Sequence, residues 1–289
     1  MVNVFILYLK KMPKTLATFG CSWTAGVGAS YNSTVPDEET YKKYAWDSDM
    51  NYPNSFRGIL CNRFNLGNFN VSKGGASNDY NFETASSIFG NEQKRKEFLD
   101  SDPLVLWGIT STARLYRNGE SIFLNHNREE SIGYFLDDEY AKNPSLDDLK
   151  YILGNHEYLY SALHLKMYYN HDTEVLRLAN LIQNWNVIFE FYKIPVIWFD
   201  TFNTHNYYNN PDNFIKGDLL SRMLEYKKIK YRKNKKWYHL SDWTNDDPRI
   251  TAGVKNKLLN PYSYHPSAKG HSVIADILSP SIREKIDTF

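Results

Sequence analysis

The sequence predicts an α/β fold built on a parallel sheet. Short apolar runs containing β-branched or bulky residues recur at Thr15 to Phe19, Phe69 to Ser72, Leu104 to Trp107 and Val196 to Phe199. Helical sequence separates them, and the first three run directly into clusters of small or hydroxylic residues. Strands joined by helices pair in parallel, and buried parallel strands read as continuous apolar runs, so all four belong in one sheet.

The first run lies in Lys14 to Gly28, KTLATFGCSWTAGVG, which reads as strand, tight turn and helix start. In an open α/β sheet the ligand crevice lies outside the carboxyl ends of the strands, where Ser22 falls. The plainer reading of a serine there is a helix N-cap. Tyr31 to Met50 has no sustained apolar period and reads as a polar excursion that rims the site. Asn51-Tyr52-Pro53-Asn54 opens a helix reaching Phe64, with Phe56, Ile59, Leu60 and Phe64 facing the sheet, and Asn65-Leu66-Gly67 ends it. The second strand runs into Lys73-Gly74-Gly75-Ala76-Ser77-Asn78, whose glycines let the backbone approach a ligand or simply serve a turn. Residues 79–99 read as helical.

Pro103 to Ile109 is the next buried strand, followed by Thr110 and Arg114. About 118–171 is expected to be a helical insertion, with a capping-box-like start at Pro144-Ser145. Asp172 is expected to cap a long helix with an apolar face from Val175 to Phe189, and the Val196 to Phe199 strand ends at Asp200, near His205. The basic run Lys227 to Lys236 reads as a solvated face, Trp237 to Trp243 as an edge strand holding Asp242, and Pro248 to Leu259 as a loop and short helix. In Pro261-Tyr262-Ser263-Tyr264-His265-Pro266-Ser267-Ala268-Lys269-Gly270-His271, proline restricts the histidine to extended backbone and is expected to start a helix, holding His265 at its mouth.

In this order, Gly20-x-Ser22-Trp23-Thr24, Tyr52-Pro53 with its helix, Asn70 with Gly75 and Ser77, Gly108 with Thr110, and His265-Pro266-x(3)-Gly270-His271 resemble the blocks of the SGNH (GDSL-type) hydrolases. The resemblance implies a three-layer α/β/α sandwich, flavodoxin-like, and hydrolysis of an ester through an acyl-enzyme. Ser22 would attack, His265 would act as general base, and the amides of Ser22 and Gly75 would hold the oxyanion. The family's substrates run from lipids to acetylated sugars. Three positions depart from the pattern: Cys21 stands where aspartate is usual, Thr110 where asparagine is, and Tyr262 in place of the aspartate three residues before the histidine. Thr110 or Ser111 is expected to lend its hydroxyl to the oxyanion, Thr110 first, and Asn78 and Arg114 to contact substrate. A carboxylate is expected to orient His265. Asp242 ranks ahead of Asp200 and Asp246 because few residues need fold back to deliver it.

Composition bounds the rest. The 289 residues suit one domain, taken as 13–289 after an N-terminal extension at 1–12. Lys+Arg 34 against Asp+Glu 33 gives no global field for nucleic acid or an anionic membrane. Cys21 and Cys61 form no disulfide framework, and no signal peptide or membrane span is evident, so a cytoplasmic location is expected. The 22 Tyr, 16 Phe and 7 Trp read first as core and second as sugar-stacking surface. The eight histidines show no metal-ligand spacing, and no cofactor or metal is expected. The favoured substrate is a small-molecule or glycan ester, because no extended apolar segment offers an acyl groove. The alternative is a non-catalytic glycan-binding or structural module of a larger assembly. The oligomeric state is left open.

Overall fold

The computed structural model describes residues 12–31, 38–112, 114–117, 120–123, 170–202, 204–205, 210–231 and 247–288. Its centre is a five-stranded parallel sheet: β1 (Thr15–Phe19), β2 (Gly67–Asn70), β3 (Pro103–Ile109), β6 (Val196–Asp200) and β7 (Phe214–Asp218), in the order β2-β1-β3-β6-β7. Alternation along the strands sorts the core into two layers. Leu16, Leu104, Leu106, Ile197 and Phe199 face one cluster. Ala17, Val105, Trp107, Val196 and Trp198 face the other. The first face is covered by α4 (Phe56–Phe64), α8 (Leu219–Tyr226), α9 (Pro248–Lys255) and α10 (Ala268–Thr288), the second by α5 (Asn78–Gly90), α6 (Glu92–Asp100) and α7 (His171–Phe191). This is the three-layer α/β/α sandwich, its central strands buried on both faces as parallel strands require. Aromatic rings fill much of the second layer: Phe19 stacks on Trp107 at 4.4 Å, and Trp107 meets Trp198 at 4.9 Å. Cys21 and Cys61 are both free and buried.

Several boundaries move for local reasons. The second strand was expected at Phe69 to Ser72 but spans Gly67–Asn70. Asn65 ends α4 in the left-handed conformation, so pairing with β1 begins at Gly67. The strand stops where Asn70 Oδ1 accepts from Ser72 N (3.1 Å) and Thr18 Oγ1 (2.9 Å), an Asx-type turn. The helical stretch expected over 79–99 is two helices, broken at Asn91, whose side chain caps α6. The long helix is capped by Asn170, not Asp172: Asn170 Oδ1 reaches Thr173 N at 3.0 Å, leaving Asp172 in the first turn, where the helix dipole favours it.

The polar excursion carries two short helices, α2 (Glu38–Tyr44) and α3 (Ser48–Asn51). The region read as a helical insertion opens instead with an antiparallel hairpin, β4 (Arg114–Arg117) with β5 (Glu120–Phe123), and 124–169 lie outside the described residues. So does the edge strand expected at Trp237 to Trp243. Strand β7 has no counterpart in the sequence reading: FIKGD lacks alternation, Gly217 adopts φ 79°, and its pairing with β6 is irregular.

Candidate active site

The carboxyl ends of β1 and β3, and the turn that follows β2, are stitched together. Lys73 N donates to Gly20 O at 3.2 Å, and Gly20 N donates to Asn81 Oδ1 at 3.1 Å, so the first and second turns are tied both directly and through α5. Gly20 cannot carry a side chain: a Cβ there would lie 2.3 Å from Thr24 Oγ1. Ser22 opens α1 (Ser22–Ala25) and is buried. Cys21 occupies the N-cap and makes no side-chain capping bond, so the capping role that a serine in this place suggests is not the one Ser22 plays. Gly75 has φ 76°, the left-handed region that glycine enters without strain, in the turn just ahead of α5.

Two sequence-predicted residues latch onto each other. Asn78 Oδ1 accepts from Thr110 N (2.9 Å), and its Nδ2 donates to Thr110 O (2.9 Å) and Ser111 O (3.4 Å). Asn78, expected at the substrate, is therefore buried and fastens the α5 start to the end of β3. Thr110 spends its amide in that latch, while its hydroxyl is buried without a hydrogen-bond partner among the described residues. Arg114 begins β4, opposite Phe123.

The histidine arrives on a loop built around Asn260, which is fully buried. Asn260 Oδ1 accepts from Tyr262 N (3.1 Å), Ser263 N (2.8 Å) and Ser263 Oγ (3.2 Å), while its Nδ2 donates to His265 O (3.0 Å) and Tyr41 Oη (3.3 Å). Inside that frame Ser263 Oγ lies 2.6 Å from His265 Nδ1, and Tyr41 Oη closes on Ser263 Oγ from the other side. The donors line up if His265 Nδ1–H donates to Ser263, Ser263 donates to Asn260, Asn260 donates to Tyr41 and Tyr41 donates back to Ser263. Nε2 is then the basic nitrogen.

Burial pushes the Tyr41 phenol above its ordinary range, which keeps it neutral in this relay. Pro266 pairs with Leu259 and does not start the helix; Ser267 accepts from Gly270 N and α10 begins at Ala268, so His265 sits ahead of the helix mouth. Ala268 N donates to Tyr31 O at 3.0 Å, which ties this loop to the segment that follows Ser22. His271, the second histidine of the stretch, is structural: buried in the core, it accepts from Phe56 N through Nδ1 at 3.3 Å.

The candidate carboxylates separate. Asp200 is taken by His205, with Oδ1 2.9 Å from His205 Nδ1 and Oδ2 accepting from His205 N at 2.9 Å, so it does not serve His265. Asp242 and Asp246 lie outside the described residues. Among the described residues Ser22 and His265 are not hydrogen-bonded to each other. Sequence reasoning missed Ser263, Asn260 and Tyr41. Ser263 was visible two residues before the histidine, whereas Tyr41 is more than two hundred positions away in the chain.

No family model matches the chain, and neither does any curated protein. Among solved structures the chain is similar to an acetyl xylan esterase, Est2A, from the rumen bacterium Butyrivibrio proteoclasticus, at 12% identity and a TM-score of 0.43. The match covers 97% of this chain and 66% of that protein, so the chain spans under two thirds of its length.

Proposed function

We propose that this protein is a serine esterase that removes an O-acyl group, acetyl in the simplest case, from a carbohydrate. The observation that carries the reading is the pair of functional ends: a serine that opens a helix without capping it, and a histidine whose Nδ1 is fixed by Ser263 so that Nε2 is left to act as base. In the reaction His265 Nε2 takes the Ser22 proton as Oγ attacks the ester carbonyl. The Ser22 and Gly75 amides and the Thr110 hydroxyl donate to the oxyanion. The tetrahedral intermediate collapses, the sugar oxygen leaves with the proton from His265, and water then repeats the sequence on the acyl-enzyme. Asp242 is proposed as a carboxylate that also serves the His265 ring.

The test is hydrolysis of p-nitrophenyl acetate by the wild type and by Ser22→Ala, together with labelling by a fluorophosphonate. The variant is expected to lose about 10⁴-fold or more in kcat, with the label on Ser22 and none on Cys21. Labelling that survives the substitution moves the chemistry elsewhere. The absence of a Ser22–His265 hydrogen bond favours a second reading, a glycan-binding module without catalysis. A wild type that binds acetylated glycans and hydrolyses none of them selects that reading.

A further inference from the structure

Trp23, Trp107 and Trp198 are fully buried; Trp46 is 65% exposed. Single exposed apolar side chains are ordinary, so the exposure alone says little. What sets Trp46 apart is how it is held and where. The buried amide of Asn51 donates to the carbonyls of Tyr44 (2.9 Å), Ala45 (3.0 Å) and Asp47 (2.7 Å), gripping the backbone on both sides of Trp46. Asn51 Oδ1 in turn accepts from Ser30 N and Ser30 Oγ, both at 2.8 Å, in the segment that follows Ser22. The indole lies directly on Gly74, where a Cβ would fall 2.2 Å from the ring, and its centroid is 6.3 Å from the His265 ring at 73°. A rigid aromatic face therefore stands between the second glycine turn and the candidate base.

We infer that Trp46 is the platform on which a pyranose ring stacks, with the ester it carries turned toward Ser22. The inference rests on the esterase reading and names the alcohol side of its substrate. A pyranose presents one face of axial C–H groups, which suits the electron-rich face of an indole, and an edge of hydroxyls that needs polar surroundings. The three residues that follow Trp46, namely Asp47, Ser48 and Asp49, are all exposed, so polar groups lie beside the ring along the chain. An acyl chain would need a continuous apolar channel instead. Holding the ring in place beforehand removes the cost of ordering a long side chain at binding.

The test compares kcat/KM on an O-acetylated methyl glucopyranoside with that on vinyl acetate, an ester with no ring. Trp46→Ala is expected to lower the pyranoside-to-vinyl ratio about tenfold, chiefly through KM, and Trp46→Tyr to restore most of it. Parallel losses on both esters, or an unchanged ratio, overturn the platform. If the wild type hydrolyses neither ester, the esterase reading fails and the platform is judged on binding of the same pyranoside by calorimetry. Affinity that falls about tenfold in Trp46→Ala supports it; no binding to the wild type, or equal binding to both, overturns it.

Discussion

Two histidines on the functional side of the sheet are gripped through Nδ1, and their partners differ. His205 is held by both oxygens of Asp200 in the interior. The Nδ1 partner of His265 among the described residues is a serine hydroxyl. A carboxylate both fixes the tautomer and stabilises the imidazolium that a general base becomes; a hydroxyl fixes the tautomer and supplies no charge. Asp200 thus gives His205 orientation and charge together, and Ser263 gives His265 its orientation. The Asp200–His205 pair anchors the loop after β6, while Ser263, Asn260 and Tyr41 hold the loop that carries His265.

The sharpest way to break this contrast is to exchange the roles. His265→Ala is expected to remove esterase activity about as completely as Ser22→Ala, near 10⁴-fold, because a nucleophile and its base act as one unit. His205→Ala is expected to lower the melting temperature, since it removes the buried ring that meets Asp200 Oδ1, and to spare kcat in the protein that remains folded. Rates that collapse in the second variant and survive in the first would make the Asp200–His205 pair the catalytic one.

A smaller effect separates orientation from charge. Ser263→Ala is expected to lower kcat about tenfold with KM little changed, the scale of one hydrogen bond. Asp242→Asn is expected to cost about 10⁴ in turnover if that carboxylate stabilises the imidazolium. A loss under tenfold leaves ring orientation to Ser263 alone. Steady-state kinetics on p-nitrophenyl acetate reads both variants.

A third histidine is read in stability rather than in rate. Burial, with the nearby charges of His265 and Arg57 adding to it, lowers the His271 pKa from 6.5 to about 3. Between those values the unfolded chain binds a proton that the folded protein refuses, so stability falls as pH drops below about 6.5 and stops falling near 3. The slope is up to about 1.4 kcal/mol per pH unit. Urea midpoints for the wild type and His271→Phe, taken from pH 7 to pH 4, should converge as the pH falls; parallel curves would show that His271 does not titrate this way.

The sheet was legible because β1, β3 and β6 are buried on both faces and therefore mainly apolar, a pattern that survives without knowledge of the neighbours. Edge strands were harder. β2 exposes most of its residues, so its apolar run placed it two residues late, and β7 owes its place to pairing with β6 and is not marked by its own sequence. The site divides the same way. Ser22, Gly75 and His265 sit in local turns whose chemistry is written nearby. Asp200 was considered for His265, and its commitment to His205 was not foreseen, because two bonds to a residue five positions on depend on how the loop closes. Asn78 looked like a ligand-facing polar residue, and its commitment to Thr110 depends on the pairing of two distant turns.

The helix that follows His265 is held by contacts far back in the chain: Phe56 N to His271, and Arg63 to Asp276 at 2.9 Å. Each closes a loop of more than two hundred residues, among the costliest steps in ordering a chain and typical of slow, late closure in folding. The turn of Ser22, the proposed nucleophile, is assembled from neighbouring strands, while the loop of His265, the proposed base, is set in place as α10 docks on α4. Recovery of activity during refolding should therefore lag behind recovery of secondary structure, which makes hydrolysis a reporter of the completed topology.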